Sequence, residues 1–411
     1  MLTSLFPRAH RRFASLAIVG GVLDDFCQWL QARGYPRLAI RRRVAATPYL
    51  EQLLRHRRVG TLGACTAADV KACLHGPTTW ATQGVGALGR SLIAFLEERG
   101  QLAATPSTAT ERLAGAFLVY LTRVRGLASG GRYVATAKEF LQFHKYDAQP
   151  CVLRRLTSVH IEDFLTHVGR RVGRVTMQHV VSGVKTFLRF LATHGDGPVG
   201  LDGQIDSPRC YRQERLPRAL PWADVVTLLG TIDRTIPKGR RDYAMLVVIA
   251  TYGLRISEVA GLDLDDVAWR ARQLRVARPK VGTSLLLPLT DDVATAVLDY
   301  LRHGRPASTS RRLFLRVRAP GGPIQPSAIG DAFDAWAARA GLGLPQVGGP
   351  HCLRHAVAMH LLRQATPLKT IGDLLGHRSV ESTNVYLRLD VEDLRDVALS
   401  VPLSLASEVR S

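Results

Sequence analysis

The chain has 411 residues, of which 46% are hydrophobic and 22% charged, enough for two to four domains of roughly 100–200 residues each. That balance excludes a disordered polyampholyte, a collagen-like chain and a disulfide miniprotein. Lys and Arg number 55 against 34 Asp and Glu, a net charge of +21 carried by 48 Arg and only 7 Lys.

The excess charge is not held in one tail. Residues 1–104 carry 14 basic and 6 acidic groups, residues 105–216 carry 16 and 9, and the remainder carries 25 and 19, for +8, +7 and +6. A folded protein that is positive throughout is suited to an extended polyanion, nucleic acid first. Six scattered cysteines form no CxxC pair, which fits reduced thiols better than disulfides or a structural zinc site. The longest apolar run, AMLVVIATYGL over 244–254, is too short to span a bilayer and reads as a buried helix. Near the start, RAHRRFASLAIVGGVL lacks a small-residue cleavage site and runs directly into Asp24, Asp25 and a helical pattern. The expectation is a cytoplasmic protein with no membrane segment.

In chain order, the front half contains an internal repeat. A shift of 91 positions aligns Phe26 with Phe117, Trp29 with Tyr120, Tyr49-Leu50 with Phe140-Leu141, and TAADVKACL (66–74) with TSVHIEDFL (157–165). A shift of 95 then aligns RSLIAFLEERG (90–100) with KTFLRFLATHG (185–195). Each unit is about ninety residues of i, i+3, i+4 apolar spacing, hence a small all-helical domain. Matching core positions with divergent surfaces are what two copies of one domain leave behind. The stretch from Asp196 to Pro221 is rich in Gly, Pro and charge and reads as a linker, centred on 201–217. Beyond it a helix opens at PWADVVTLLGTI, and LRVAR (274–278) and TSLLLPL (283–289) flank PKVG as a β-hairpin. Segments 327–341, 351–365, 367–376 and 391–399 read as helices.

Four separated stretches carry the chemistry: TYGLRISEVAGLDLDDV (251–267), RPKVG (278–282), GPHCLRHAVAMHLL (349–362) and LLGHRSVESTNVYLRL (374–389). Singly, each has a structural reading. Arg255 could pair with Glu258 three residues on, His351 and Arg354 could sit at a helix start, and Tyr386 could simply pack. As a set, their order and spacing resemble the catalytic domain of the tyrosine recombinases, the phage-integrase and Xer-type family. GLRISE is similar to the first arginine box, PHCLRHAVAMHLL to the His-x-x-Arg box, and LLGHRS with Tyr386 nine residues after His377 to the nucleophile box.

The resemblance covers 218–400 and implies a mainly α chain with a small β-sheet, in which helical N-terminal DNA-binding units precede an α+β catalytic domain. Residues 105–200 resemble the family's helical core-binding domain. Residues 1–104 have no partner in the two-domain members and, on the repeat, look like a divergent copy of it; 401–411 would be a tail. The implied activity is site-specific strand breakage and rejoining through a 3′-phosphotyrosyl link, in integration, excision or transposition. Because bond type is conserved, it needs no energy cofactor, and neither a cofactor nor a metal is expected. The implied catalytic set is Arg255, Lys280, His351, Arg354, His377 and the nucleophile Tyr386. Arginine forks match the charge gathering on nonbridging phosphate oxygens. The histidines add hydrogen bonds and proton handling, and a cationic site favours the phenolate of a tyrosine whose pKa is ordinarily ~10. Lys280 is the candidate general acid: only Lys238, Lys280 and Lys369 lie among the 25 basic residues after Pro217, and lysine, unlike arginine, can release its proton.

The family context further implies duplex DNA as partner, a homotetramer on paired sites passing through a Holliday junction, a C-terminal helix at 391–399 docking on a neighbouring protomer, and accessory recombinases or DNA-bending proteins. Arg378 and Glu381 depart from the small polar residues many relatives carry beside the histidine. His355 and His360 read as supporting or core residues, and Cys352 with its neighbouring histidines completes no four-ligand metal set. Two other readings stand beside the main one: a type IB topoisomerase, against which the LLGHRS box argues, and a catalytically silent DNA-binding regulator on the same scaffold.

Overall fold

The computed structural model describes residues 1–74, 84–104, 107–127, 129–208, 219–278, 283–343, 349–376 and 383. Contacts gather the chain into two compact units, one of residues 1–52, 77–95 and 215–411 and the other of residues 53–76 and 96–214.

The first hundred residues are helical: α1 (Leu2–Leu5), α2 (His10–Ala14), α3 (Leu23–Ala32), α4 (Arg37–Ala45), α5 (Thr47–His56), α6 (Ala67–Ala72) and α7 (Val85–Glu98). Helix α3 buries Leu23, Phe26, Cys27 and Leu30, the i, i+3, i+4, i+7 stripe that its sequence displays. Between α2 and α3 the backbone N–H groups of Ala17, Ile18 and Val19 converge on the buried carboxylate of Glu51, the first at 2.8 Å. One side chain of α5 thereby satisfies three donors that no helix could.

The next stretch contains α8 (Ala109–Val119), α9 (Gly131–Phe143), α10 (Ser158–Gly169) and α11 (Arg174–His194). Its core holds Phe117, Phe140, Phe164, Phe187 and Phe190. Helix α11 ends at Gly195 with φ 74°, a left-handed cap that glycine adopts without a Cβ penalty. The aligned residues of the repeat meet in the same way. Phe26–Phe95, Trp29–Phe95 and Phe26–Trp29 lie at 5.4, 5.7 and 6.2 Å, while Phe117–Phe190, Tyr120–Phe190 and Phe117–Tyr120 lie at 5.1, 5.4 and 6.4 Å. Thr66 and Thr157 both precede a helix, and the side chain three residues on, Asp69 or His160, accepts the threonine's backbone N–H at 3.0 or 3.3 Å. The expected linker is partly built into the core: Leu201 and Ile205 are buried against this second set of helices, and residues 209–218 lie outside the described residues.

The remaining elements are α12 (Trp222–Gly230), α13 (Pro237–Tyr252), α14 (Ile256–Ala260), β1 (Val267–Ala268), β2 (Gln273–Arg278), β3 (Thr283–Pro288), α15 (Asp291–His303), α16 (Pro326–Arg339), α17 (His351–Arg363) and α18 (Leu368–Leu375). The expected hairpin is present as part of an antiparallel sheet of order β1-β2-β3, with Leu274 opposite Leu287 and Arg278 opposite Thr283. Leu274, Val276 and Leu287 face the core while Ser284 and Leu286 face out, the period-2 alternation of a half-buried sheet. The apolar run 244–254 is the buried centre, as expected, with α13 packed against α15, α16 and α17. The mainly α chain with a small sheet is therefore what the sequence predicts. Among the described residues no helix is long and apolar enough to cross a membrane.

Candidate active site

Helix α13 fixes the site because both of its ends are tied down. Near its start Asp242, fully buried, accepts from Lys238 Nζ at 2.6 Å, from Arg241 Nη2 at 2.6 Å and from the Trp336 indole N–H of α16 at 2.9 Å. At its other end Tyr252 donates its hydroxyl to the Pro288 carbonyl at 2.6 Å and accepts the Thr290 N–H at 3.2 Å. The helix stops at Gly253 with φ 63°. A Cβ there would stand 2.4 Å from Leu375 Cδ2, so this glycine serves both the left-handed turn and the close approach of α18.

Two residues beyond that turn, Arg255 begins α14. Glu258 accepts both the Arg255 backbone N–H at 2.8 Å and its Nη1 at 2.9 Å. The Arg255 side chain is 39% exposed and that of Glu258 7%. A mostly buried carboxylate thus steadies an arginine that keeps over a third of its side chain in solvent. Pairing with Glu258, the structural reading of the sequence, and an available guanidinium coexist in one arrangement.

Arg354, in the first turn of α17, is only 2% exposed. It donates through Nη1 to the Gly253 carbonyl at 2.5 Å and through Nη2 to the Leu375 carbonyl. These are the orphan carbonyls at the C-termini of α13 and α18, and a cation there also suits the negative ends of both helix dipoles. Arg354 therefore cross-links three helices.

His351 is the first residue of α17, three positions before Arg354. The surrounding protein disfavours the imidazolium, and the guanidiniums of Arg354 and Arg255 add to this, so its pKa lies below the ordinary value. The ring of His355 meets it edge-on, with centroids 4.7 Å apart. His351, Arg354 and Arg255, from two sequence boxes nearly a hundred residues apart, thus share one electrostatic environment. Lys280, His377 and Tyr386 lie outside the described residues; in sequence Lys280 falls between β2 and β3, and His377 follows Gly376, the C-cap of α18. The helix expected at 391–399, Arg378 and Glu381 also lie outside them.

Cys352 is 1% exposed and burial pushes its thiol up to about 12, so it sits in the core as a neutral group. His360 stacks on Trp222 of α12 at 3.9 Å, nearly parallel, in agreement with its reading as a packing residue. Sequence reasoning missed Asp242 and Trp336 and the helix-stop role of Gly253. A glycine heading the arginine box, two residues before Arg255, is a stop signal that could have been found, whereas the partners of Asp242 are distant in sequence.

Residues 219–393 match the Phage integrase family. The protein y4rA of Sinorhizobium fredii, an integrase/recombinase by name, is 34% identical over 389 residues, covering 92% of this chain and 93% of its own. The chain belongs to the tyrosine recombinase family of phage integrases. A tyrosine recombinase XerC from Bradyrhizobium diazoefficiens is 30% identical over 286 residues, 67% of this chain and 86% of that one. Among solved structures, XerH bound to a palindromic difH substrate in a post-cleavage complex superposes with a TM-score of 0.54 at 15% identity, covering 72% of this chain and 97% of that one. A lambda integrase fragment bound to a core site superposes at 0.51 and 14% identity, with 66% and 95% covered. At those identities the likeness is one of tyrosine recombinase fold.

Proposed function

We propose that this chain is a site-specific DNA recombinase that cuts and rejoins strands through Tyr386, with Arg255, Lys280, His351, Arg354 and His377 as its catalytic partners. The observation that carries the reading is that Arg354, three residues after His351 on α17, bonds the Gly253 carbonyl, two residues before Arg255. Two arginines brought together at the end of α13 suit a phosphodiester, whose nonbridging oxygens gain negative charge as a fifth oxygen attacks. In this reading the Tyr386 oxygen attacks phosphorus, forming a 3′-phosphotyrosyl bond. The 5′-oxygen leaves with a proton from Lys280, and reversal with a 5′-hydroxyl from the partner duplex restores the diester. His351, its pKa lowered by its surroundings and by the two guanidiniums, accepts or passes a proton at its ring nitrogen.

Related recombinases have been captured on DNA and, for lambda integrase, as a tetramer on a Holliday junction. By that kinship the substrate here is duplex DNA and the working form a homotetramer on paired sites, assisted by accessory recombinases or DNA-bending proteins. Residues 105–200 would be the core-binding domain and 218–400 the catalytic domain, with the protein acting at the nucleoid. The test is covalent trapping in cells followed by sequencing of the attached DNA. Adducts at discrete sites, lost in Tyr386→Phe, establish chemistry and target together. Adducts that survive the substitution overturn the nucleophile assignment, and their absence with site-specific binding retained leaves a silent regulator.

A further inference from the structure

Helix α13 ends in two consecutive residues that each hold a different part of the chain. Tyr252 is only 3% exposed, and a buried hydroxyl costs free energy unless it finds partners. It finds two, donating to the Pro288 carbonyl at 2.6 Å and accepting the Thr290 N–H at 3.2 Å. Gly253, the next residue, gives its carbonyl to Arg354.

The two partners of Tyr252 mark a junction. Pro288 is the last residue of β3, and Thr290 is the N-cap of α15. The Thr290 side chain makes no capping bond, and its hydroxyl is buried without a hydrogen-bond partner among the described residues. The passage from β3 into α15 is therefore held by the tyrosine and by the Leu289 N–H, which donates to the Arg272 carbonyl at 2.8 Å, rather than by the threonine's own cap. Apolar packing holds the inner face of the hairpin through Leu274, Val276 and Leu287. Such packing is non-directional, whereas hydrogen bonds fix distance and angle.

The junction is the base of a lever. Pro288 and Thr283 lie at opposite ends of β3, five residue steps or about 17 Å apart along a strand. Over that length a rotation of about 3° at the base moves the far end by about 1 Å, and a misplacement of that size costs a reaction about 100-fold. In sequence, Lys280 falls between β2 and β3.

We infer that Tyr252 is a positioning residue: its hydroxyl fixes the β2–β3 hairpin, and through it Lys280, relative to Arg255 and Arg354. This rests on the recombinase reading and on Lys280 as its general acid. In the cleavage step the bond from the Tyr386 oxygen to phosphorus forms, the bond from phosphorus to the 5′-oxygen breaks, and Lys280 supplies the proton which that oxygen takes up. A displaced hairpin slows the last of these and leaves the arginines where they are.

The test compares two nicked suicide duplexes carrying a target site recovered by covalent trapping, one ordinary and one with sulfur in place of the 5′-oxygen at the scissile phosphate. Thiols ionise with a pKa of about 8.5, so the sulfur leaves as a thiolate without needing the acid. With full-length protein at saturating duplex, Tyr252→Phe should form adduct about 10- to 100-fold more slowly on the ordinary duplex and close to the wild-type rate on the sulfur duplex. Lys280→Ala should show the same pattern, and Arg255→Ala should be slow on both. The ratio of the two rates is the readout, because a loss of folded protein lowers both alike and cancels. An unchanged ratio in Tyr252→Phe, whether both rates fall or neither does, overturns the positioning role and leaves the recombinase reading intact. A Lys280→Ala chain that sulfur does not rescue overturns the acid assignment and this inference together. If trapping recovers no site, the recombinase reading itself has failed.

Discussion

The start of α14 and the start of α17 each present an arginine, and sequence treats the two alike, yet the molecule holds them in opposite ways. Arg255 is secured by Glu258, three residues along its own helix, and keeps 39% of its side chain in solvent. Arg354 is secured by carbonyls 101 and 21 residues away and keeps 2% exposure. One is a local arrangement whose loss stays local. The other is a keystone on which the ends of α13 and α18 depend, so chemistry and folding are inseparable there.

That contrast is sharpened most by Arg354→Ala. Two buried carbonyls lose their donor at about 1–3 kcal/mol each, so thermal unfolding should show a loss of several kcal/mol together with complete loss of strand cleavage. Arg354→Lys keeps the charge but not the fork and should recover only part of the stability. Gly253→Ala comes next: a left-handed φ costs a non-glycine residue about 1–2 kcal/mol, and the Cβ meets Leu375 besides. Leu375→Ala in the same chain should remove the clash and leave the backbone cost, a non-additivity visible in a double-mutant cycle.

Arg255→Ala is expected to cost about 1–3 kcal/mol, less than Arg354→Ala, because the mostly buried Glu258 loses one donor but keeps the backbone N–H of residue 255, while cleavage of a nicked suicide duplex falls about 100- to 1,000-fold. Should Arg255→Ala unfold the protein as Arg354→Ala does, the distinction between the two arginines is broken. The smallest effect concerns His351. Its pKa is depressed in the folded chain, so neutral imidazole favours folding. That contribution is complete above the unfolded value of about 6.5 and is lost as pH falls through the lower folded value. Stability profiles of wild type and His351→Gln should coincide in shape above that range and diverge below it.

Much of the fold was legible because its cause is local. The stripe on α3, the left-handed glycine after α11 and the alternation in β2 and β3 each appear in a few consecutive residues. The repeat was legible for the related reason that aromatic size survives where surfaces drift, and the triads at Phe95 and Phe190 have nearly the same geometry. The stretch read as a linker was misjudged at Leu201 and Ile205, since two apolar residues among Gly and Asp carry no period, and their burial depends on helices formed earlier in the chain. Asp242 shows the same limit. Its acidity and position suggest a solvated turn of helix, but Trp336, 94 residues on, completes its shell.

By itself, then, the sequence determined the helices, the hairpin and the residue types fit for phosphoryl transfer, because propensity, periodicity and side-chain chemistry act over a turn or two. Only the tertiary structure decided that Arg354 is buried and Arg255 is not, that Glu51 and Asp242 belong to the interior, and that the pKa of His351 is lowered. Those outcomes depend on which distant carbonyls, indoles and guanidiniums arrive within hydrogen-bond or Coulombic reach, and no spacing along the chain encodes that distance.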